Sequence, residues 1–106
     1  MVKVSAHGNQ RIRSRCGVPK KSVDRLAEAA FKNGIRHDET TGALNKYITS
    51  LYFYNKTANN IRIHADKVFL FGGEILITVL DLPHRYRKMA TKILQHRKSN
   101  DGGMAV

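Results

Sequence analysis

The sequence is poor in cysteine, in proline and in long apolar runs: its 106 residues include one cysteine, two prolines and no tryptophan. Because Cys16 has no second cysteine to pair with, the class of disulfide-rich secreted domains is excluded. The chain also has no apolar run of membrane-spanning length and no apolar segment of the signal-peptide type. These absences predict a cytoplasmic protein with no membrane-embedded part.

Sequence patterns for metals and nucleotide cofactors are missing as well. The five histidines lie far apart in the chain, and no set of four His, Asp or Cys residues has the spacing of a metal site. The pair Gly72-Gly73 is a hairpin signal and does not lead into a helix, unlike the glycines of phosphate-binding loops. We therefore expect no metal and no cofactor.

Acidic residues are absent from two segments, one at the start of the chain and one close to its end. Residues 1–21 and 84–98 each contain six lysines or arginines and no acid, the residues between are neutral, and Asp101 brings the formal net charge to +11. Two basic segments around a neutral middle favour binding to a polyanion, because each cation near a phosphate releases condensed counterions. Nucleic acid, with RNA favoured, is the expected partner. The alternative is that the basic ends only keep the chain in solution, or contact anionic lipid or ribosomal RNA without specificity.

The spacing of apolar residues predicts helices over residues 5–15, 19–33 and 41–54, with Ser5 and Thr40 or Thr41 as candidate N-caps. The pattern then changes to that of strands, at residues 61–63, 68–71 and 75–80. The last of these strands is almost continuously apolar, which predicts the centre of a sheet covered on both faces. A basic amphipathic helix over residues 85–95 follows.

This order predicts an α+β domain, with N-terminal helices, a small antiparallel β-meander and a C-terminal basic helix. We expect one domain over residues 1–98 and a flexible tail over residues 99–106. Apolar residues from all the elements are expected to form one core, in which these pack together: Leu26, Phe31, Ile48, Leu51, Phe69, Ile77 and Ile93.

The first helix carries a stripe of potential cations. His7, Arg11 and Arg15 are four residues apart, so their side chains line one helical face, and His37 is a second candidate for proton transfer. RNA cleavage without a metal needs a base, an acid and a cation at the transition-state phosphate, which these residue types supply. The alternative is structural: His7 caps its helix, His37 is an ordinary surface histidine, and the arginines are solvated or only bind.

The segment Ser5–Arg15 resembles the His-Ala-x-x-Arg-Met-x-x-Arg opening of a small bacterial family related to RelE-like toxins. That group is placed in the barnase, EndoU, colicin and RelE ribonuclease superfamily. The strand at residues 76–80 resembles the late strand of those domains, in which a Thr or Ser points into the cleft. Across residues 3–95, the resemblance implies a RelE-like fold and a metal-independent, RNA-directed toxin-like ribonuclease.

By the same resemblance the site contains His7, Arg11, Arg15 and Thr78, and His37 would join it by proximity. Two residues depart from the family pattern. Gly8 replaces the usual Ala after the histidine, and Leu80 stands where an aromatic residue often follows Thr-Val. The chain is also similar to short proteins of clostridial phages and mobile elements, a group that includes inhibitors of host defence as well as toxins.

Seven further cations are predicted to contact phosphates, namely Arg13, Lys20, Lys21, Arg85, Arg87, Lys88 and Lys92. On the third helix, Tyr47, Tyr52 and Tyr54 are candidates for stacking on bases. Tyr47 and Tyr52 share the spacing of the apolar residues of that helix, which favours a place in the core for both.

Two functions from different classes remain open at this point. The first is the ribonuclease implied by the resemblance. The second is a non-catalytic inhibitor of phage or mobile-element origin, which would bind a host nucleoprotein such as an RNA-guided nuclease and block its nucleic-acid channel. The sequence leaves the oligomeric state undetermined.

Overall fold

The computed structural model describes the backbone of residues 2–105 and the side chains of residues 2–98. The described residues form four α-helices, with the bounds α1 Ala6–Cys16, α2 Val23–Asn33, α3 Gly42–Tyr54 and α4 His84–Ala105. Two short 3-10 helices, Lys20–Ser22 and His37–Glu39, precede α2 and α3 respectively. The predicted flexible tail, residues 99–106, begins within α4. The side chains of residues 99–105 and the whole of Val106 lie outside the described residues.

Five strands form one mixed sheet, with bounds β1 Lys3–Val4, β2 Ile35–Arg36, β3 Asn60–His64, β4 Lys67–Gly72 and β5 Ile75–Asp81. Their order in the sheet is β1-β5-β4-β3-β2. The meander β3-β4-β5 is antiparallel, whereas β1 runs parallel to β5. The predicted α+β class, with N-terminal helices, a meander and a C-terminal helix, is confirmed.

The two outer strands were not predicted, because each has only two residues and no periodic pattern of its own. Their pairing changes which strand is central. The prediction that residues 75–80 form the centre of the sheet is wrong, since β4 is the middle strand and its residues from Val68 to Phe71 are all at most 1 % exposed. Ile77, Thr78 and Leu80 of β5 are only half-buried.

Helices cover both faces of the sheet, so the apolar residues form two clusters. Ile12 of α1 and Ala27 of α2 pack with Phe69 on one face. Ile48 of α3 and Ala90 of α4 pack on the other face. We call these the α1/α2 layer and the α3/α4 layer.

The prediction of a single core is therefore wrong. Leu26, Phe31 and Phe69 belong to the α1/α2 layer. The other four predicted core residues, Ile48, Leu51, Ile77 and Ile93, belong to the α3/α4 layer. The physical reason is that successive side chains of a strand point to opposite faces of a sheet, which separates residues that the sequence pattern groups together.

The position of α1 follows from its two ends and from one glycine. The hydroxyl of Ser5 accepts a hydrogen bond from the Gly8 amide at 2.9 Å and donates one to the Leu76 carbonyl at 2.9 Å, so the predicted N-cap also joins the helix to β5. Gly17 ends the helix at a φ of 64°, as predicted. A Cβ atom at Gly8 would lie 2.4 Å from the Leu76 carbonyl oxygen. The Ala of the family pattern would therefore not fit here.

Within the described part of the chain, no helix combines the length and the apolar character that crossing a bilayer requires.

Candidate nucleic-acid interface

The exposed side of α1 carries the first predicted pair. Ile12 is fully buried against the sheet, while His7 is exposed and Arg11 is half-buried. The Arg11 Nε donates a hydrogen bond to the His7 Nε2 at 3.3 Å, so both side chains lie on one face, as the four-residue spacing predicts.

The third residue of the stripe, Arg15, has an acidic partner. Its Nη1 lies 3.1 Å from the Asp81 Oδ2, and the Lys67 Nζ lies 2.6 Å from the Asp81 Oδ1. The hydrogen bond from Lys67, helped by Arg15, holds the pKa of Asp81 below its ordinary value. Sequence reasoning missed this carboxylate, because it is 66 residues from Arg15 and only the strand register brings it there.

The other two predicted catalytic residues lie on the opposite face of the sheet. The His37 Nε2 is 2.9 Å from the Thr49 Oγ1 of α3, and its ring centroid is 5.3 Å from that of Tyr52. Thr78 is paired with Leu70, whose side chain belongs to the α3/α4 layer, so the register puts Thr78 on that face as well.

The structure therefore does not bring the predicted catalytic residues together. The sheet separates His7 and Arg11 from His37 and Thr78. The physical reason lies in β5, where a bulge at Ile77 brings Leu76 and Val79 to the same face, the one that α1 covers. Thr78 precedes Val79 and therefore points to the other face of the sheet.

The predicted phosphate contacts of the N-terminal half lie on α1 and on the 3-10 helix before α2. Arg13, Lys20 and Lys21 are all exposed. Arg13 lines a shallow open groove together with Asn9 and Pro19. This part of the surface is in the α1/α2 layer, and α2 also carries Asp24 and Glu28.

The predicted phosphate contacts of the C-terminal half lie on α4. Arg85, Lys88 and Lys92 are exposed, whereas Arg87 is half-buried and its Nε donates to the Leu82 carbonyl at 3.3 Å. Arg87 therefore helps to hold the start of the helix. The Arg85 guanidinium lies over the Tyr86 ring at 4.9 Å.

Two lysines of the α3/α4 layer were missed in the sequence analysis. Lys46 on α3 and Lys56 just after it are exposed. The signal was present: no Asp or Glu occurs in residues 40–65 or in residues 82–98. Among the described residues, no ion pair engages the five exposed cations of this layer, namely Lys46, Lys56, Arg85, Lys88 and Lys92. We call these five the cation set.

The aromatic residues of α3 fall into two pairs, one packed against the core and one exposed to solvent. Tyr47 is half-buried and stacks on Tyr86 with ring centroids 4.8 Å apart, and the Tyr52 hydroxyl accepts a hydrogen bond from the Ile61 amide at 2.9 Å. Both pack against the core of the α3/α4 layer, as predicted. Tyr54 and its neighbour Phe53 remain 80 % and 70 % exposed.

One arginine of the basic C-terminal segment is held by an ion pair. The Arg97 Nε donates to the Glu39 Oε2 at 2.7 Å, a second nitrogen contacts Oε1, and Nη1 donates to the Asn33 carbonyl at 2.8 Å. The hydrogen bond from Arg97 holds the pKa of Glu39 below its ordinary value of 4.5. Arg97 therefore links α4 to the end of α2, and these contacts engage the guanidinium that would otherwise bind phosphate.

Replacing Glu39 should remove an acid-sensitive part of the stability. Because the pKa of Glu39 is lowered in the folded state, its contribution is present above about pH 4.5 and is lost as the pH falls through the folded value. We expect Glu39→Gln to reduce the free energy of unfolding at pH 7 by about 1–3 kcal/mol, with a smaller difference at pH 3. Urea unfolding at both pH values measures this. Asp38→Asn, which alters a carboxylate that is 74 % exposed, is the control, and a Glu39→Gln difference equal at both pH values would contradict the assignment.

Within the described residues, no three His, Cys, Asp or Glu side chains lie close enough together to hold a metal ion. Comparison of the chain with protein-family models, with curated proteins and with solved structures gave no match. The functional argument therefore depends on the charges, exposures and contacts described above.

Proposed function

We propose that this chain binds nucleic acid, RNA in preference, through the α3/α4 layer. The observation that carries the proposal is the cation set. Its five lysines and arginines are exposed on one layer, and among the described residues none of the five is paired with a carboxylate. Unpaired like charges on one surface repel one another, and a phosphate backbone relieves that repulsion while releasing its own counterions.

The α1/α2 layer is the weaker candidate for the main contact. Arg13, Lys20 and Lys21 are exposed and, among the described residues, in no ion pair. However, Arg15 of this layer is paired with Asp81, and α2 carries Asp24 and Glu28, whereas residues 40–65 and 82–98 contain no acid. The α1/α2 layer also faces away from the cation set, since the sheet lies between the two layers. An RNA that touched both layers would have to pass around an edge of the sheet.

A ribonuclease activity is the second candidate, and the pair His7–Arg11 favours it. An imidazole beside a guanidinium combines a proton-transfer group with a phosphate-binding cation. The RelE-like resemblance implies the same activity. Cleavage also needs a group that protonates the leaving oxygen, and the candidates His37 and Thr78 are across the sheet from His7. For this reason we propose binding without cleavage.

Incubation of the purified chain with end-labelled RNA in EDTA tests the proposal. We expect the RNA to be bound in a gel-shift assay and to remain intact. Fragments that end in 2′,3′-cyclic phosphate would contradict this and support the ribonuclease, provided that His7→Ala abolishes them and Gln10→Ala, an exposed position on the same helix, does not. Failure to bind any free RNA at low salt would overturn the proposal and leave the inhibitor of a host nucleoprotein as the function to test.

A further inference from the structure

The end of α3 presents two large aromatic rings to solvent. Phe53 and Tyr54 are 70 % and 80 % exposed. As adjacent residues on a helix they point in different directions, and neither ring is needed to cover the sheet. Their ring centroids are 5.4 Å apart and the ring planes are at 89°. Each exposed ring leaves apolar area in water that burial against a partner would remove.

One exposed lysine precedes this aromatic pair in the chain and another follows it. Lys46 lies two helical turns before Phe53 on the same exposed face, and Lys56 follows Tyr54 by two residues. The nearest acids in the sequence are Glu39 and Asp66, so the whole of α3 and the segment after it lack a carboxylate.

The start of α4 adds a further cation near the same end of α3. Tyr47 stacks on Tyr86, and the Met89 side chain lies beside Gly42, so the two helices run in opposite directions where they touch. The end of α3 therefore points past the start of α4, where the Arg85 guanidinium lies over the Tyr86 ring.

We infer that Phe53 and Tyr54 stack on the bases of single-stranded RNA while Lys46, Lys56 and Arg85 contact its phosphates. This inference rests on the proposed function and adds to it the form of nucleic acid that is bound. Every base has an aromatic face, so stacking of this kind binds single strands without a fixed sequence. A duplex keeps its base faces inside the helical stack and cannot use these rings.

A second copy of the chain is a poorer occupant of this surface. Bringing two such faces together would place Lys46 and Lys56 near the same residues of the other copy, and residues 40–65 contain no acid to offset the repulsion. A polyanion with exposed aromatic bases matches both the rings and the charges.

The double variant Phe53→Ala/Tyr54→Ala tests the inference on the full chain. We expect its affinity for an unstructured single-stranded RNA to fall about 10-fold or more, because removing one base–aromatic stack has an effect of this size. Affinity for an RNA duplex with the same number of phosphates should stay within about two-fold, and the dependence of affinity on salt should not change, since no charge is removed. Leu94→Ala is the matched control, because Leu94 is an apolar residue of α4 that is 48 % exposed.

A fluorescence measurement adds a readout that a merely structural role would not affect. The chain has no tryptophan, so Tyr54→Trp introduces a single reporter at the proposed stacking position. We expect the emission of this variant to be quenched by single-stranded RNA but not by inorganic polyphosphate. Equal quenching by both would overturn the stacking.

The remaining outcomes separate this inference from the proposed function. Wild-type binding of single-stranded RNA with no loss in the double alanine variant would overturn the stacking and leave the RNA-binding proposal standing. Absence of RNA binding by the wild-type chain would overturn both. A dimer of the wild-type chain that the double alanine variant does not form would show that this face joins two copies, and would also overturn the inference.

Discussion

The affinity of the chain for single-stranded RNA should fall about 100-fold when the salt concentration rises from about 50 to about 200 mM. Each phosphate neutralised on a single strand contributes about −0.7 to the slope of log affinity against log salt concentration, and the cation set offers about five contacts. Fluorescence anisotropy at four or five salt concentrations measures the slope. An affinity that did not change with salt would contradict phosphate binding altogether.

Two matched double variants locate the contact. Lys88→Gln/Lys92→Gln, in the α3/α4 layer, should make the slope shallower by about 0.7 for each lost contact. Lys20→Gln/Lys21→Gln removes the same charge from the other side of the sheet, at two positions that are also exposed, and should leave the slope almost unchanged. An equal effect of the two double variants would contradict a main contact on the α3/α4 layer.

Replacing Phe69 by alanine should reduce the stability of the fold more than Glu39→Gln or Phe53→Ala does. Phe69 is fully buried on the middle strand, where it packs with Ile12, Ala27 and Val79 in the α1/α2 layer. Replacing a buried phenylalanine by alanine removes its apolar burial and leaves a cavity, and we expect Phe69→Ala to cost about 3–5 kcal/mol. Urea unfolding followed by circular dichroism measures the change in the free energy of unfolding.

Phe53→Ala is the control for this experiment. It makes the same chemical change at a ring that is 70 % exposed, and we expect a change in stability within about 0.5 kcal/mol. A Phe69→Ala variant that unfolds at the wild-type urea concentration would show that β4 does not present this side chain to the α1/α2 layer.

The helices could be predicted because their signals are local. Ser5 and Gly17 define the ends of α1 through contacts within four residues of themselves, and the apolar spacing of α2 and α3 identifies the side of each helix that is buried. The meander could also be predicted, since the glycine signal and the alternation at β3 lie within one stretch of chain. Its turn is shifted by one residue from the predicted pair, because Gly72 ends β4 and, of the two, only Gly73 has a positive φ.

The strand order and the two layers could not be predicted in the same way. The pairing of Lys3 with Ile75 joins residues that are far apart in the sequence, and a strand of two residues has no periodicity from which it could be predicted. The assignment of each helix to one face of the sheet depends on the packing of all four helices at once. A single core was therefore the wrong expectation, and two clusters separated by the sheet are the result.

The candidate site shows the same division between local and tertiary information. By itself, the sequence determined the excess of positive charge, the common face of His7 and Arg11, and the acid-free segments, because these depend only on composition and on helical spacing. Only the tertiary structure decided which cations share a surface and that Asp81 pairs with Arg15. It also decided that Thr78 lies across the sheet from His7, because strand register and alternation direct each side chain to one face or the other.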